Sequence, residues 1–82
     1  MSRAAKIFAA AKQNPQGLSF AETQALAVAA GFALKRVNGS HHIYAKTGIP
    51  EPINLQRDGK GAKGYQVRQV LGLITKYKIE IK

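Results

Sequence analysis

Phe32-Ala33-Leu34-Lys35-Arg36-Val37-Asn38-Gly39-Ser40-His41-His42-Ile43-Tyr44-Ala45-Lys46 is the stretch that decides the fold. Two β-compatible runs flank Asn38-Gly39, and that dipeptide between such runs is the strongest short-range hairpin signal. A two-residue turn there pairs Val37 with Ser40, Arg36 with His41, Lys35 with His42 and Leu34 with Ile43. Side chains directly opposite share a face. One face then carries Phe32, Leu34, Ile43 and Ala45 and ends in Arg36 and His41. The other carries Ala33, Lys35, His42 and Tyr44. The first is the expected core face, with a polar pair at its rim.

Upstream, Ser19-Phe20-Ala21-Glu22 has the capping-box form, in which serine and glutamate each satisfy the other's backbone amide. It predicts an alanine-rich helix with Phe20, Leu26 and Ala30 inward and Gly31 as a left-handed C-terminal cap. Residues 2–13 read as an earlier short helix with a stripe of Ala4, Ile7 and Ala11, stopped by Asn14-Pro15-Gln16-Gly17. Downstream, residues 47–52 read as a turn-rich connection. Ile53-Asn54-Leu55-Gln56 reads as a short third strand, with Pro52 suiting an edge. Residues 58–64 read as a flexible glycine-rich loop. Residues 65–77 make the clearest helix, with Val67, Val70, Leu71, Ile74 and Tyr77 or Lys78 at buried-stripe spacing. Gly72 within it costs roughly 1 kcal/mol relative to alanine, which predicts close packing there. Residues 78–82 alternate Ile79 and Ile81 with charges, as a short extra strand or a frayed end. The fold class is α+β, a three-stranded antiparallel sheet with helices on one face. A single domain spans 1–82, with a leading helix and linker over 1–17, a core over 18–77 and a tail over 78–82.

Composition narrows the function. The chain has 82 residues, thirteen Lys and Arg against four Asp and Glu, a formal net charge of +9 and no cysteine. That length allows one domain and excludes doubly wound and barrel enzymes. Without cysteine there is no disulfide scaffold, iron–sulfur centre, thiol nucleophile or thiolate zinc site. No apolar run approaches the ~20 residues of a membrane span. Lys6 and Lys12 interrupt the start where a signal peptide needs a greasy stretch, so the expected compartment is the cytoplasm. Residues 35–82 hold ten of the basic residues and three of the acids. The clusters are Lys35-Arg36 beside the turn, and Arg57, Lys60 and Lys63 in the glycine-rich loop. Such a balance favours a polyanion, nucleic acid before an anionic membrane. The alanine-rich first helix lacks the bulky apolar residues that membrane binding requires.

Two constellations carry chemistry. Lys60 and Lys63 stand just before the last helix, whose first amides carry the positive end of the helix dipole. Glycines there let backbone approach a polyanion. The Gly-Lys-Ser/Thr ending of a P-loop is missing, and a solvated surface loop accounts for these residues equally well. His41 and His42 are neighbours on one strand, so they point to opposite faces and do not chelate one metal together. With no serine or cysteine in a nucleophile context, what remains is proton transfer by histidine beside a basic surface suited to RNA. RNA brings its own nucleophile, the 2′-hydroxyl. An enzyme acting on it needs a proton acceptor, a proton donor and cations for the phosphorane charge. A non-catalytic RNA-binding module fits the same element order. A DNA-binding regulator using the hairpin as a ribbon is the third class, and nothing in the sequence favours it.

The run from Ala30-Gly31-Phe32 to Arg36, followed by Gly39-Ser40-His41-His42, resembles the HicA toxin family of type II toxin–antitoxin systems. Asn54-Leu55-Gln56, Lys60 to Lys63 and Tyr65-Gln66-Val67-Arg68-Gln69-Val70-Leu71 are similar too. The likeness covers residues 19–77 and looks like the longer branch of the family, which has an extra leading helix. It implies a double-stranded-RNA-binding-like α-β-β-β-α fold and a ribosome-independent endoribonuclease, an mRNA interferase with no cofactor and no metal. The implied partners are mRNA and a HicB-like antitoxin that masks the active face. The implied catalytic residue is a histidine of the motif. His41 matches the commoner form and His42 the form with only the second histidine. Lys35, Arg36, Gly39, Ser40, Lys60, Lys63, Tyr65 and Arg68 are then the expected RNA-binding residues. One departure is Gly64, where relatives often place proline before the helix tyrosine. A proline there would preset the helix start.

Overall fold

The computed structural model describes residues 2–82. Helix α1 spans Arg3–Gln13, and Ser2 caps it by accepting from the Ala5 amide at 3.1 Å. Ile7 and Ala11 bury its apolar stripe. A short 3-10 turn, Pro15–Gly17, separates it from helix α2, Phe20–Ala29. The capping box is complete: the Glu22 amide donates to Ser19 Oγ at 3.0 Å and the Ser19 amide donates to Glu22 Oε1 at 3.0 Å. Hydrogen bonds from the Ser19 amide, and then from its side chain, hold the Glu22 carboxyl below its usual pKa. Gly31 ends the helix at φ 95°. Its amide donates to the Val28 carbonyl at 2.9 Å, and the Phe32 amide donates to the Ala27 carbonyl at 3.0 Å. Phe32 then turns into the core.

Four antiparallel strands follow, in spatial order β1-β2-β3-β4. They are β1 Ala33–Asn38, β2 His41–Lys46, β3 Ile49–Asp58 and β4 Gly61–Ala62. The sheet therefore has one strand more than expected. The loop read as flexible is a tight hairpin with Gly59 at φ 63° and β4 as its return limb. A bridge between Ser19 and Gly61 ties β4 to the start of α2. The Phe20 amide donates to the Lys60 carbonyl at 3.0 Å there. Strand β3 also begins earlier than read, with Pro50 and Pro52 inside it. Neither proline breaks a ladder, because β4 pairs only with Arg57 and Asp58 and leaves that end of β3 at an edge.

The hairpin register differs from the expected one. The turn is Gly39-Ser40 rather than Asn38-Gly39, so Asn38 faces His41, Val37 faces His42 and Arg36 faces Ile43. A bulge at Lys35 then brings Leu34 opposite Tyr44. Arg36, His41, Ile43 and Ala45 share a face as read, but helices do not cover that face. The core face is the one with Tyr44, which is buried beside Ile53 and Leu55. Tyrosine wins this position because its large ring fills the space under α2 while its hydroxyl accepts from Gln24 Nε2 at 2.9 Å. The bulge also moves Leu34 off the face assigned to it.

Helix α3, Gly64–Lys76, closes the core with Val67, Val70, Leu73 and Ile74. Leu73 takes the deeper place expected for Leu71, which is only half-buried. Gly72 is not at a close contact: a Cβ there would meet nothing within 4 Å. The tail forms neither a strand nor a frayed end. Ile79 and Ile81 pack against the core, and Ser2 Oγ donates to the Lys82 carbonyl at 2.6 Å. Among the described residues no helix is long and apolar enough to cross a membrane.

Candidate nucleic-acid interface and active site

One end of the sheet gathers most of the residues singled out from sequence. The Gly39-Ser40 turn leads into β2, whose first residues face the last residues of β3: His41 opposite Gln56 and His42 opposite Leu55. Beyond Gln56 comes Arg57, paired with Ala62 of β4. Lys60 is exposed in the hairpin turn between them, and Lys63 is the N-cap of α3 with no side-chain capping bond. Tyr65, 57% exposed, lies on the first turn of α3, and Arg68, also exposed, follows at the start of the second.

Hydrogen bonds fix these pieces to one another. The Gln56 amide donates to Oε1 of buried Gln66 at 2.8 Å, joining β3 to the start of α3. The Gln56 side chain reaches the other way, its Nε2 donating to Ser40 Oγ at 3.3 Å. These bonds connect the turn, the strand end and the helix start. Gly64 packs against Gln16, since a Cβ on it would meet the Gln16 side chain at 2.7 Å.

The two histidines sit in different surroundings. His42 lies on the helix side of the sheet. Its ring stands edge-on to Phe20, centroids 5.0 Å apart, and its Nδ1 is 3.2 Å from the Ser40 carbonyl oxygen. The Arg57 guanidinium stacks on the same Phe20 ring at 5.0 Å. His41 lies on the uncovered face. Asn38, His41 and Gln56 form one cross-strand row there, and Arg36, Ile43 and Asn54 form the next. Its Nδ1 is 3.1 Å from Asn54 Oδ1. Arg36 shares this face, one row away.

Lys35 is exposed at the bulge and does not stand opposite His42. Three residues near His41 went unassigned in the sequence: Asn38, Asn54 and Gln56. The signal for Asn54 and Gln56 was present in Ile53-Asn54-Leu55-Gln56, where carboxamides alternate with buried apolar residues and so must share the solvent face. Arg57 stood in a basic cluster, but its stacking on Phe20 had no sequence signature.

Among the described residues the salt bridge found is Lys76 to Glu51, far along α3 from this end. The cations near the turn are thus left available to an anion from outside. A hollow of about 360 Å³ between α1 and α2 is lined by Ala10, Gln13, Asn14, Gly17, Leu18 and Glu22. It contains neither histidine and its one carboxylate is committed to the α2 cap. Comparison with family models, curated proteins and solved structures gives no match to this chain.

Proposed function

We propose that this protein is a metal-independent endoribonuclease of the HicA toxin type, with a double-stranded-RNA-binding-like fold, held in check by a HicB-like antitoxin. The observation that carries the reading is His41 on an uncovered sheet face, one row from Arg36 and beside a turn braced by Gln56. An RNA strand crossing this end brings a 2′-hydroxyl to the imidazole. His41 accepts its proton as the oxygen attacks the adjacent phosphorus. The bond to the 5′-oxygen breaks, and that oxygen takes up a proton from solvent water, leaving a 2′,3′-cyclic phosphate and a 5′-hydroxyl. Arg36 offsets the charge that builds on the phosphorane oxygens. Lys60, Lys63, Arg68 and the first amides of α3 at Tyr65 hold flanking phosphates. Gly39 lets the turn approach the backbone, and the Ser40 hydroxyl keeps its proton free to donate while it accepts from Gln56.

The test is cleavage of RNA by the wild type, His41→Ala and His42→Ala. His41→Ala lowers the rate by about 10²- to 10⁴-fold, the range for loss of a general acid or base. His42→Ala costs less, because its ring packs on Phe20 and its loss acts through stability. A substrate with one 2′-deoxy substitution at the cut site resists. Undiminished cleavage by both variants overturns the reading. Salt-sensitive RNA binding that neither substitution weakens, without cleavage, identifies a non-catalytic binding module instead. Co-expression with the protein of a neighbouring HicB-like frame restores growth if the antitoxin covers this face.

A further inference from the structure

Asn54 is an exposed residue in the middle of β3, between Ile53 and Leu55, which are fully buried. Asparagine is disfavoured in strands, so its place there has no explanation in local propensity. Nor is it part of a turn or a cap. Its cross-strand partner is Ile43, and its diagonal neighbour on β2 is His41. Its Oδ1 lies 3.1 Å from His41 Nδ1.

We infer that Asn54 is the positioning residue of His41, selecting the imidazole tautomer that leaves Nε2 as the basic nitrogen. A carboxamide oxygen only accepts, so the Nδ1 facing it carries the ring's proton. A neutral imidazole has one N–H. With that proton held at Nδ1, the lone pair is on Nε2, the nitrogen that Asn54 does not occupy. The same bond fixes rotation of the ring about its terminal torsion, which is otherwise broad. Gln56 supports the arrangement from the next position on the same face. Its Nε2 donates to Ser40 Oγ on the turn. The Ser40 carbonyl facing His42 Nδ1 would hold a proton there by the same rule, but the His42 ring is set edge-on to Phe20 on the helix side of the sheet, away from the uncovered face.

This inference rests on the reading of His41 as the proton acceptor, and two measurements separate the fate of each. The first is the tautomer of neutral His41, read from ring-nitrogen chemical shifts of the ¹⁵N-labelled full chain without RNA. Wild type shows Nδ1–H. Asn54→Ala shifts the population towards Nε2–H, and Asn54→Asp, which keeps an oxygen acceptor, retains Nδ1–H. The second is kinetics on RNA. Asn54→Ala lowers kcat by about 10- to 100-fold, since a small misplacement of a reacting group costs up to ~10²-fold. Its affinity for a substrate blocked by 2′-deoxy substitution stays unchanged, and Asn54→Asp recovers part of the rate. Wild-type His41 as Nε2–H, or an unchanged tautomer and kcat in Asn54→Ala, overturns the inference. A wild type that shows Nδ1–H but cuts no RNA overturns the endoribonuclease reading and leaves the Asn54 contact standing.

Discussion

Lys78 has a left-handed backbone, φ 53°, without being glycine. It closes α3 as Gly31 closes α2. The Lys78 amide donates to the Thr75 carbonyl at 3.2 Å, and the Ile79 amide donates to the Ile74 carbonyl at 2.9 Å. This pattern needs a left-handed residue just past the helix end, and a Cβ in that conformation costs roughly 1–2 kcal/mol. Lys78→Gly therefore raises stability by about 1 kcal/mol, measured by urea unfolding, because the strain is lost while both bonds remain. Unchanged stability would show that the strain is relieved elsewhere. Gly72 gives the converse case. It lies on the solvent side of α3 with open space where a Cβ would stand, so Gly72→Ala stabilises by about 0.5–1 kcal/mol. The conformational role of Gly31 was legible because a left-handed cap follows an apolar stripe. The setting of Gly72 was not, because Leu71 and Leu73 both fit the spacing from Val67 and Val70 and only packing chooses between them.

Among the elements, the hairpin was legible but its register was not. Asn38-Gly39 and Gly39-Ser40 are overlapping turn signals, and each fits a two-residue connection. The chain uses the second, with Gly39 at φ 63°. Nothing local to the hairpin announces the bulge at Lys35, and the core face follows from how Tyr44 packs under α2. The site inherits this: His41 and Arg36 share a face as read, but one row apart rather than opposite, and that face was wrongly read as core. A second element-scale feature ties the beginning of β3 to the end of α3. Glu51 accepts from Lys76 Nζ at 2.6 Å and from the Tyr77 hydroxyl. These bonds, the Lys76 one first, hold the Glu51 carboxyl below its ordinary pKa of 4.5. Its stabilisation is thus present above pH 4.5 and lost as pH falls through the lower folded value. The Glu51 bond raises Tyr77 and Lys76 above their ordinary values of 10.0 and 10.5, so that share is present below those values and lost as pH climbs through the higher folded ones. Thermal unfolding of Glu51→Gln should follow pH less steeply than wild type at both extremes. Parallel curves would show that the cluster contributes no pH dependence.

For the whole molecule, charge has a direction. The fold gathers the cations of the β3–β4 hairpin and the start of α3 at the histidine end, while the ion pair sits at the other end of α3. The sequence exposed the basic clusters but not their convergence, which depends on β4 pairing with β3 and bridging to Ser19. Lys60→Gln and Lys63→Gln should each weaken RNA binding evenly across sequences and lower the slope of log K against log salt by about 1. A slope that does not move in either variant would remove these lysines from the interface.

The bond between Ser2 and the Lys82 carbonyl makes the fold nearly a closed ring. The Thr47-Gly48 turn is exposed and lies at the opposite end of β2 from His41, about 20 Å away at strand rise. A chain rewired to join its present ends and begin at Gly48 would keep every hydrogen bond around the histidines while cutting the connection between β2 and β3. The Asn54–His41 contact would then join residues near opposite ends of the permuted sequence, its geometry owed to the sheet alone and not to the loop that now links its strands.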